Sequence, residues 1–438
     1  MWIGIDDTDG PEGMCTTYIT IKIAEETKLD FIGLPRLVRL NPNVPWKTRG
    51  NAAIAIRLGI GKGKKIKIGN VKGKDIYAYY KIKEEPDIED LMESISNIVE
   101  RYARFDVEKT SPGIIITKDK VSEKIYWKAV REIVNLKDFE GYLNGLHYKA
   151  YKNKIGLIGA LAAISWRPRK FTYELITYLP EDRWNKDRYV DENSVIMMDK
   201  MIKTTFENYD YLNKKIMIKP ETLTPVLYGI RGTNFQDLEK AMKIVVSDPF
   251  DSYIIYKTNQ ATDDHLVKSK ISEIKEYRSY IIKAKVIEKP KTIKGGHVIF
   301  KVSDGTGEIY AVAYDHTLQF REIIKRLDIG DSLLLYGSVK KYNDTLNLEK
   351  IKILKLKEKY VFVNPKCPIC NRTMESIGKD KGFRCKKCNT YSPEKVKLKL
   401  ERDLNEIYYE VPDIARRHLS MPINFLGKNI RDFSIFIP

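Results

Sequence analysis

The chain has 438 residues, too many for one hydrophobic core, and its 43% hydrophobic and 31% charged content excludes a wholly disordered or fibrous polymer. Lys and Arg outnumber Asp and Glu by 77 to 59, and five cysteines are too few for a disulfide framework. The opening Met-Trp-Ile-Gly-Ile-Asp-Asp is charged too early for a secretory leader, and no apolar run reaches the roughly 18 residues of a membrane span. A cytoplasmic protein with no membrane partner is expected.

The first element is a short apolar strand, Trp2 to Ile5, running into the acidic turn Asp6-Asp7-Thr8-Asp9. A helical stretch begins near Thr16, strand-like runs cover 52–58 and 65–83, and Gly69 and Gly73 break the second run as in a hairpin. Ile88, Leu91, Ile95 and Ile98 share one helical face; a strand at Gly113–Thr117 and helices at 121–135 and 138–148 follow. These make an α/β domain over 1–150.

Three carboxylates in four residues repel one another unless a cation shares them. At the carboxyl end of a strand, where α/β domains bind ligands, they suit Mg²⁺ carrying nucleotide phosphates. Thr8, inside the same turn, joins the nucleotide candidates. An acidic turn in solvent is the plainer alternative. The Gly59–Lys65 stretch lacks Walker spacing and no dinucleotide fingerprint occurs, so an ATP site here is unconventional. Lys47, Arg49, Gly50 and Asn51, together with Ser111 and Gly113, are candidate phosphate contacts, although each patch alone reads more readily as a structural turn. Cys15, without a cysteine neighbour, reads as a buried small hydrophobe.

Residues 151–272 mix an apolar small-residue segment (Gly156 to Ile164), strands at Phe171–Tyr178 and Ser252–Lys257, and a helix from Asn234 to Val246. That mixture suits an α+β sandwich. Over 273–360 the texture becomes short strands: Tyr277–Glu288, His297–Val302, Ile309–Tyr314, Ser332–Val339 and Leu346–Leu354, with a helix at Leu318–Leu327 after the third. This is the order of an OB-fold, a small β-barrel that often grips oligonucleotides. Residues 271–400 hold 28 basic against 15 acidic side chains, and such a field favours a polyanion through counterion release. A lysine-rich thermophilic surface is the competing explanation, but those surfaces usually balance their signs.

The last part, 361–438, carries Cys367-Pro-Ile-Cys370 and Cys385-Lys-Lys-Cys388. Two such knuckles bring four thiolates onto one Zn²⁺, and no thioredoxin-like helix follows that would make them a redox pair. Lys379, Lys381, Arg384, Lys386 and Lys387 crowd the ribbon and suggest a phosphate-contacting surface. Residues 393–438 read as a basic helix with a tail holding Arg416, Arg417 and Lys428.

Ile3-Gly4-Ile5-Asp6-Asp7-Thr8-Asp9, Gly13-Met14-Cys15-Thr16-Thr17-Tyr18, Pro225–Gly232 and Thr258–Leu266, followed by the OB-fold and zinc ribbon in that order, resemble the archaeal isoleucine-tRNA 2-agmatinylcytidine synthetases, the TiaS family. The resemblance spans essentially the whole chain, with one departure: Ala261 stands where glycine is expected. It implies four parts: a kinase-like domain, a ferredoxin-like domain, an OB-fold and a zinc ribbon. It also implies an ATP-dependent ligase that joins agmatine to the wobble cytidine of the isoleucine tRNA with a CAU anticodon, through a phosphorylated base. Asp6, Asp7 and Asp9 fall on the family's catalytic carboxylates and Thr17 on its self-phosphorylated threonine. Agmatine's guanidinium needs acidic or carbonyl partners, for which Asp263 and Asp264, beside Asn259, Gln260, Thr262 and His265, are candidates. The alternative for that segment is a polar corner between domains. Two other functions compete: a non-enzymatic single-strand-binding protein, and a small-molecule kinase with nucleic-acid modules as regulators.

Overall fold

The computed structural model of the protein describes residues 1–11, 13–47, 50–184, 186–341 and 345–426. The first half is built from β1 (Trp2–Asp6), α1 (Thr16–Glu26), β2 (Asp30–Ile32), β3 (Arg36–Arg39), β4 (Ala52–Val71), β5 (Lys74–Glu84), α2 (Ile88–Tyr102), β6 (Gly113–Thr117), α3 (Lys124–Arg131), the one-turn α4 (Glu140–Leu143), β7 (His147–Ala150) and α5 (Gly156–Ser165). It continues through β8 (Thr172–Tyr178), α6 (Glu192–Met201), the short β9 (Thr205–Phe206), β10 (Tyr209–Asp210) and β11 (Lys215–Ile216), then β12 (Val226–Gly232), α7 (Phe235–Ile244) and β13 (Ser252–Thr258).

One eleven-stranded sheet runs through it, in the order β7-β6-β1-β4-β3-β13-β8-β12-β9, with β2 and β5 attached beside β4, while β10 and β11 pair with each other apart from it. The join is β13, which pairs parallel to β3 (Lys257 opposite Arg36) and antiparallel to the far end of β4 (Ser252 opposite Val71). Gly69 does not break a strand, as its sequence suggested; β4 continues through it. A Cβ there would lie 2.3 Å from the Tyr253 carbonyl oxygen, so glycine serves the close passage of β13. The hairpin turn falls at Gly73, whose φ is 86°. Helix α2 forms as its periodicity predicts: Asp87 accepts from the N–H groups of Glu89 and Asp90, and Leu91, Ile95 and Ile98 are buried. The helix expected at 138–148 is only α4. Gly145 takes φ 79° and the next residues join the sheet edge, with His147 opposite Ile116, so strand pairing wins over helical pattern.

The second half begins with β14 (Leu266–Lys268), followed by β15 (Arg278–Thr292), β16 (Val298–Ser303), β17 (Glu308–Ala313), α8 (Gln319–Lys325), β18 (Ser332–Val339) and β19 (Thr345–Lys355). Pairings run β15-β16-β17-β19-β18 and back to β15, a closed circuit around Ile282, Phe300, Leu335 and Ile351. A stalk of β20 (Lys359–Val363) then leads to a small three-stranded ribbon, β21 (Glu375–Ser376), β22 (Phe383–Arg384) and β23 (Tyr391–Ser392). The return strand of the stalk is β24 (Val396–Leu400), and β25 (Tyr408–Glu410) pairs with β19.

The basic helix expected after 393 is therefore absent from the described residues. Val-Lys-Leu-Lys-Leu alternates with period two and pairs with β20, while Pro412 and Pro422 each precede only a short 3-10 turn. Lys428 lies outside the described residues. No helix among them is long and apolar enough to cross a membrane.

Candidate active site and metal centre

At the end of β1 the chain turns abruptly, and Asp7 takes φ 58°, a left-handed conformation that aspartate tolerates better than most residues. Asp6 shares its strand face with Gly4, and α5 lies directly against that face. A Cβ on Gly4 would sit 2.3 Å from the Ala160 carbonyl oxygen, and one on Gly159 would come 1.8 Å from Asp6 Oδ2. Glycine at 159 thus leaves the space that the Asp6 carboxylate occupies. From the other side, the Ser111 N–H donates to Asp7 Oδ2 at 2.9 Å and the Thr110 hydroxyl donates to the Asp9 carbonyl at 2.8 Å.

Ser111 therefore braces a carboxylate from behind, and Gly113 packs on the Gly156 backbone; neither lines the cleft described next. Thr8 is buried and donates to the Thr16 hydroxyl. Burial, followed by the charges of Asp7 and Asp9, pushes the Asp6 carboxyl well above its ordinary range. Burial and the Asp9 charge raise Asp7 to about 6, against the Ser111 N–H and Lys152. Among the described residues neither Asp6 nor Asp7 has an ion-pair partner. Such a pair is electrostatically incomplete without a cation.

The three aspartates open onto a cleft of about 680 Å³, which is also lined by Cys15, Thr16 and Thr17 at the start of α1 and by Lys47, Gly50 and Asn51. Arg49 lies outside the described residues. Cys15 is half-buried at this wall, not a core residue as its sequence context suggested, and its Sγ lies 3.0 Å from Thr17 Oγ1. It gives α1 no side-chain cap, so the helix start faces the cleft with its positive end unsatisfied by the protein's own side chains. Thr17 is held from behind, its carbonyl accepting from the Tyr256 hydroxyl at 2.8 Å.

The opposite wall comes from residues to which sequence reasoning gave no role in a cleft. Arg231 bridges Glu174 and Glu207; Arg416 contacts Glu207 at 3.0 Å, Glu410 at 2.8 Å and Asp413 at 2.6 Å. Glu174, Glu207 and Asp413 reach the cleft there beside Arg231 and Arg416, with Lys215, Lys219 and Glu221 nearby, so this wall interleaves carboxylates with cations. Arg416 belongs to no basic tail: the chain returns past β25 and its Asp413–His418 stretch closes the cleft. Only Arg231 lies in a motif visible beforehand.

The segment 259–265 sits at the joint between the two halves, buried except for the half-buried Asp263 and Asp264, and does not line the cleft. Asn259 clamps the Arg39 peptide, accepting from its N–H at 2.7 Å and donating to its carbonyl at 2.8 Å. The Gln260 amide donates to Glu174, and the Thr262 hydroxyl donates to the Asn259 carbonyl. Asp263 pairs with Lys350 at 2.8 Å, Asp264 accepts from the Tyr126 hydroxyl at 2.6 Å, and His265 lies 3.1 Å from Glu349. Burial raises Asp264 to about 6, opposed by that tyrosine.

Beyond the OB-fold, Cys367, Cys370, Cys385 and Cys388 bring their ligand atoms within 4.8 Å of one another, the only such convergence of potential ligands among the described residues. Each knuckle closes in the same way: Asn371 N–H donates to the Cys367 carbonyl and Asn389 N–H to that of Cys385, both asparagines at positive φ. Four converging thiols without disulfide partners fit a structural Zn²⁺. The ribbon's Lys379, Lys381, Arg384, Lys386 and Lys387 are all exposed.

Family descriptions match in the order of the chain: the TiaS TCKD domain over 2–155, the TiaS FLD domain over 154–265, an OB-fold nucleic acid binding domain over 280–354, and the TiaS C-terminal zinc ribbon domain over 364–404. The isoleucine-tRNA 2-agmatinylcytidine synthetase TiaS of Methanocaldococcus jannaschii is 42% identical, covering 97% of this chain and 99% of the relative. That of Archaeoglobus fulgidus is 39% identical over 98% and 99%. Among solved structures, a complex of TiaS with its isoleucine tRNA and ATP superposes with a TM-score of 0.81 at 38% identity, covering 100% of this chain and 99% of that one. A complex of TiaS with the same tRNA, AMPCPP and agmatine gives 0.80 at 36% identity, with 97% of each chain covered.

Proposed function

The chain belongs to the TiaS family of isoleucine-tRNA 2-agmatinylcytidine synthetases, and from that premise we propose that it uses ATP to join agmatine to the wobble cytidine of the CAU-anticodon isoleucine tRNA. It does so in the cytoplasm, where that tRNA is used. The observation that carries the assignment is the pairing of walls in one cleft: Asp6, Asp7 and Asp9 beside a helix start on one side, and a face presenting Glu174, Glu207 and Asp413 among cations on the other. The first suits phosphates with their metal, the second a cationic amine. A single-strand-binding protein would need neither.

The chemistry follows from the leaving group. The carbonyl oxygen at C2 of cytosine departs poorly, so ATP first phosphorylates it; the agmatine amine then attacks C2 and the phosphate leaves. Phosphoryl transfer depends chiefly on positioning and on neutralising charge. One or two of Asp6, Asp7 and Asp9 would hold Mg²⁺, which would supply that neutralisation. The start of α1 offers N–H groups and dipole to the same phosphates. Thr17, at this start, is the residue that becomes phosphorylated and then belongs to the catalytic apparatus. Lys47, Gly50 and Asn51 border the nucleotide.

Glu174, Glu207 and Asp413 hold the guanidinium of agmatine through charge-assisted hydrogen bonds. Asn259, Gln260, Thr262, Asp263, Asp264 and His265 act one step behind: Gln260 orients Glu174 and Asn259 fixes the Arg39 peptide. Labour divides along the chain. Residues 1–150 carry the phosphoryl chemistry, 151–272 the amine-binding wall, and 273–360 with 361–438 the RNA grip, the last part also returning Asp413–His418 to the cleft. The target base leaves its stack to enter.

Asp7→Asn should abolish ATP-dependent modification while tRNA affinity stays within about twofold, because the polyanion is gripped elsewhere. Loss of tRNA binding with ATP turnover intact would overturn this division. Phosphopeptide mapping after incubation with ATP should find label on Thr17; label on Thr16 would reduce Thr17 to a structural residue.

A further inference from the structure

A second cavity, of about 570 Å³, adjoins the cleft and shares Arg39, Val44, Lys47, Gly50 and His418 with it. Three parts of the chain meet there: the loop after β3, the OB-fold through Tyr277 and Lys340, and the C-terminal return through Arg417–Leu419. Among the described residues its lining contains Arg39, Lys47, Lys340 and Arg417 and no carboxylate. Among the described residues only Arg417 has an acidic partner, Glu349 at 3.4 Å, and that glutamate is already committed to His265.

Arg39 is the informative member. Its Nε is fully buried with no hydrogen-bond partner, and its guanidinium forms no ion pair among the described residues. Gly50 makes room for it, since a Cβ there would lie 2.4 Å from Arg39 Nη1 and 3.7 Å from the His418 ring. Glu174 and Asp9 act on it only from beyond ion-pair distance, and a guanidinium with an unpartnered buried Nε is unfavourable, which an incoming anion relieves.

We propose that this cavity is a phosphate-binding site that seats a backbone phosphate of the RNA strand beside the base entering the cleft. Phosphate is the shared chemistry of RNA and nucleotide, and two features favour RNA. The OB-fold supplies part of the lining, and the nucleotide's phosphates already have the aspartates and the start of α1. The proposal depends on the RNA-modifying assignment for the source of the phosphate.

The electrostatics agree. Burial, followed by the charges of Arg417 and Lys340, lowers Lys47 to about 8. The Arg39 charge, followed by burial, Arg231 and Lys47, keeps His418 well below the usual histidine range. Lys340 is exposed, so Lys340→Gln leaves the fold intact.

Binding of CAU-anticodon tRNA to the full chain, measured against salt, should weaken about fivefold in Lys340→Gln, with the salt slope reduced by about one. The Kd for ATP should stay within about twofold. Unchanged tRNA affinity and slope, or an equal loss of ATP affinity, would overturn the proposal. If the unaltered protein bound no tRNA, the functional assignment itself would fail, a separable result. Independently, inorganic phosphate should raise the titration midpoint of the His418 imidazole in the NMR spectrum, one of only five histidines. A midpoint unmoved by phosphate would also refute the site.

Discussion

The four cysteines of the ribbon come from 22 consecutive residues, whereas the walls of the cleft are drawn from Asp6 through His418. Each knuckle is completed by its own backbone: Asn371 and Asn389 close the loops in which the sulfurs sit. In the cleft, almost every functional group is held by a distant one. Asp7 rests on Ser111, Asp6 on Gly159, Glu174 on Gln260, and Arg416 on Glu207. The ribbon is thus organised locally, around four converging thiols, and the cleft by tertiary structure. They should fail in different ways.

The largest separation concerns metal. Structural zinc supplies about 10–16 kcal/mol of apparent folding free energy in isolated modules, while the first half has its own sheet and core. Chelation, or Cys385→Ser, should expose 361–404 to proteolysis and empty the site by metal analysis, yet leave ATP binding in place. Parallel loss of ATP binding would mean that the two regions are coupled. The next effect lies in the cleft. Arg416, with 6% of its side chain exposed, pairs with Glu207, Glu410 and Asp413, and burial already raises Glu410 to about 7 despite it. Arg416→Ala strands Glu410 and Asp413, while Glu207 keeps Arg231, and should lower stability by about 3–5 kcal/mol in urea unfolding, with zinc content unchanged.

The same contrast governs what could be read from sequence. The C-x-x-C pairs announce their site because ligand spacing and ligand geometry are one local property. The order of OB-fold strands was legible through alternation, and α2 through its apolar stripe. Asp6, Asp7 and Asp9 stood out as an electrostatic oddity at a strand end. Glu174, Glu207, Asp413 and Arg416 did not, since an isolated acid or arginine carries no sign of what folds against it. The sequence 393–400 misled because Lys-rich composition suggests a helix, whereas its period-two alternation is what pairs with β20. The return of 413–418 to the cleft depends on backbone bonds from Ala261 to His418 and from Asp263 to Leu419, and no local pattern encodes them.

Smaller effects probe the joint that holds the composite region together. Glu349 is buried, which alone would raise its pKa, but the charges of His265 and Arg417 and the His265 hydrogen bond outweigh this and lower it from 4.5 to about 2. A depressed carboxyl contributes stability that is full above its unfolded value and is lost as pH falls from about 4.5 toward about 2. Glu349→Gln should therefore flatten the acid-unfolding slope in that window; an unchanged slope would place the acid sensitivity elsewhere. Smallest is Ala261, held at φ 58° where the family resemblance leads one to expect glycine. Ala261→Gly removes the left-handed strain and should stabilise by about 0.5–1 kcal/mol, visible as a higher urea midpoint with no change in zinc or in tRNA affinity. Destabilisation would show that the Cβ packs usefully.

The central claim is that one composite cleft brings ATP, agmatine and a tRNA cytidine together. Its most direct test is mass spectrometry of the nucleosides from CAU-anticodon isoleucine tRNA after incubation with the protein, ATP and agmatine. The account predicts a wobble cytidine carrying agmatine in place of its 2-oxo oxygen, formed only when both small molecules are present and absent with Asp7→Asn. An unmodified cytidine with the unaltered protein, or modification that proceeds without ATP, would contradict it.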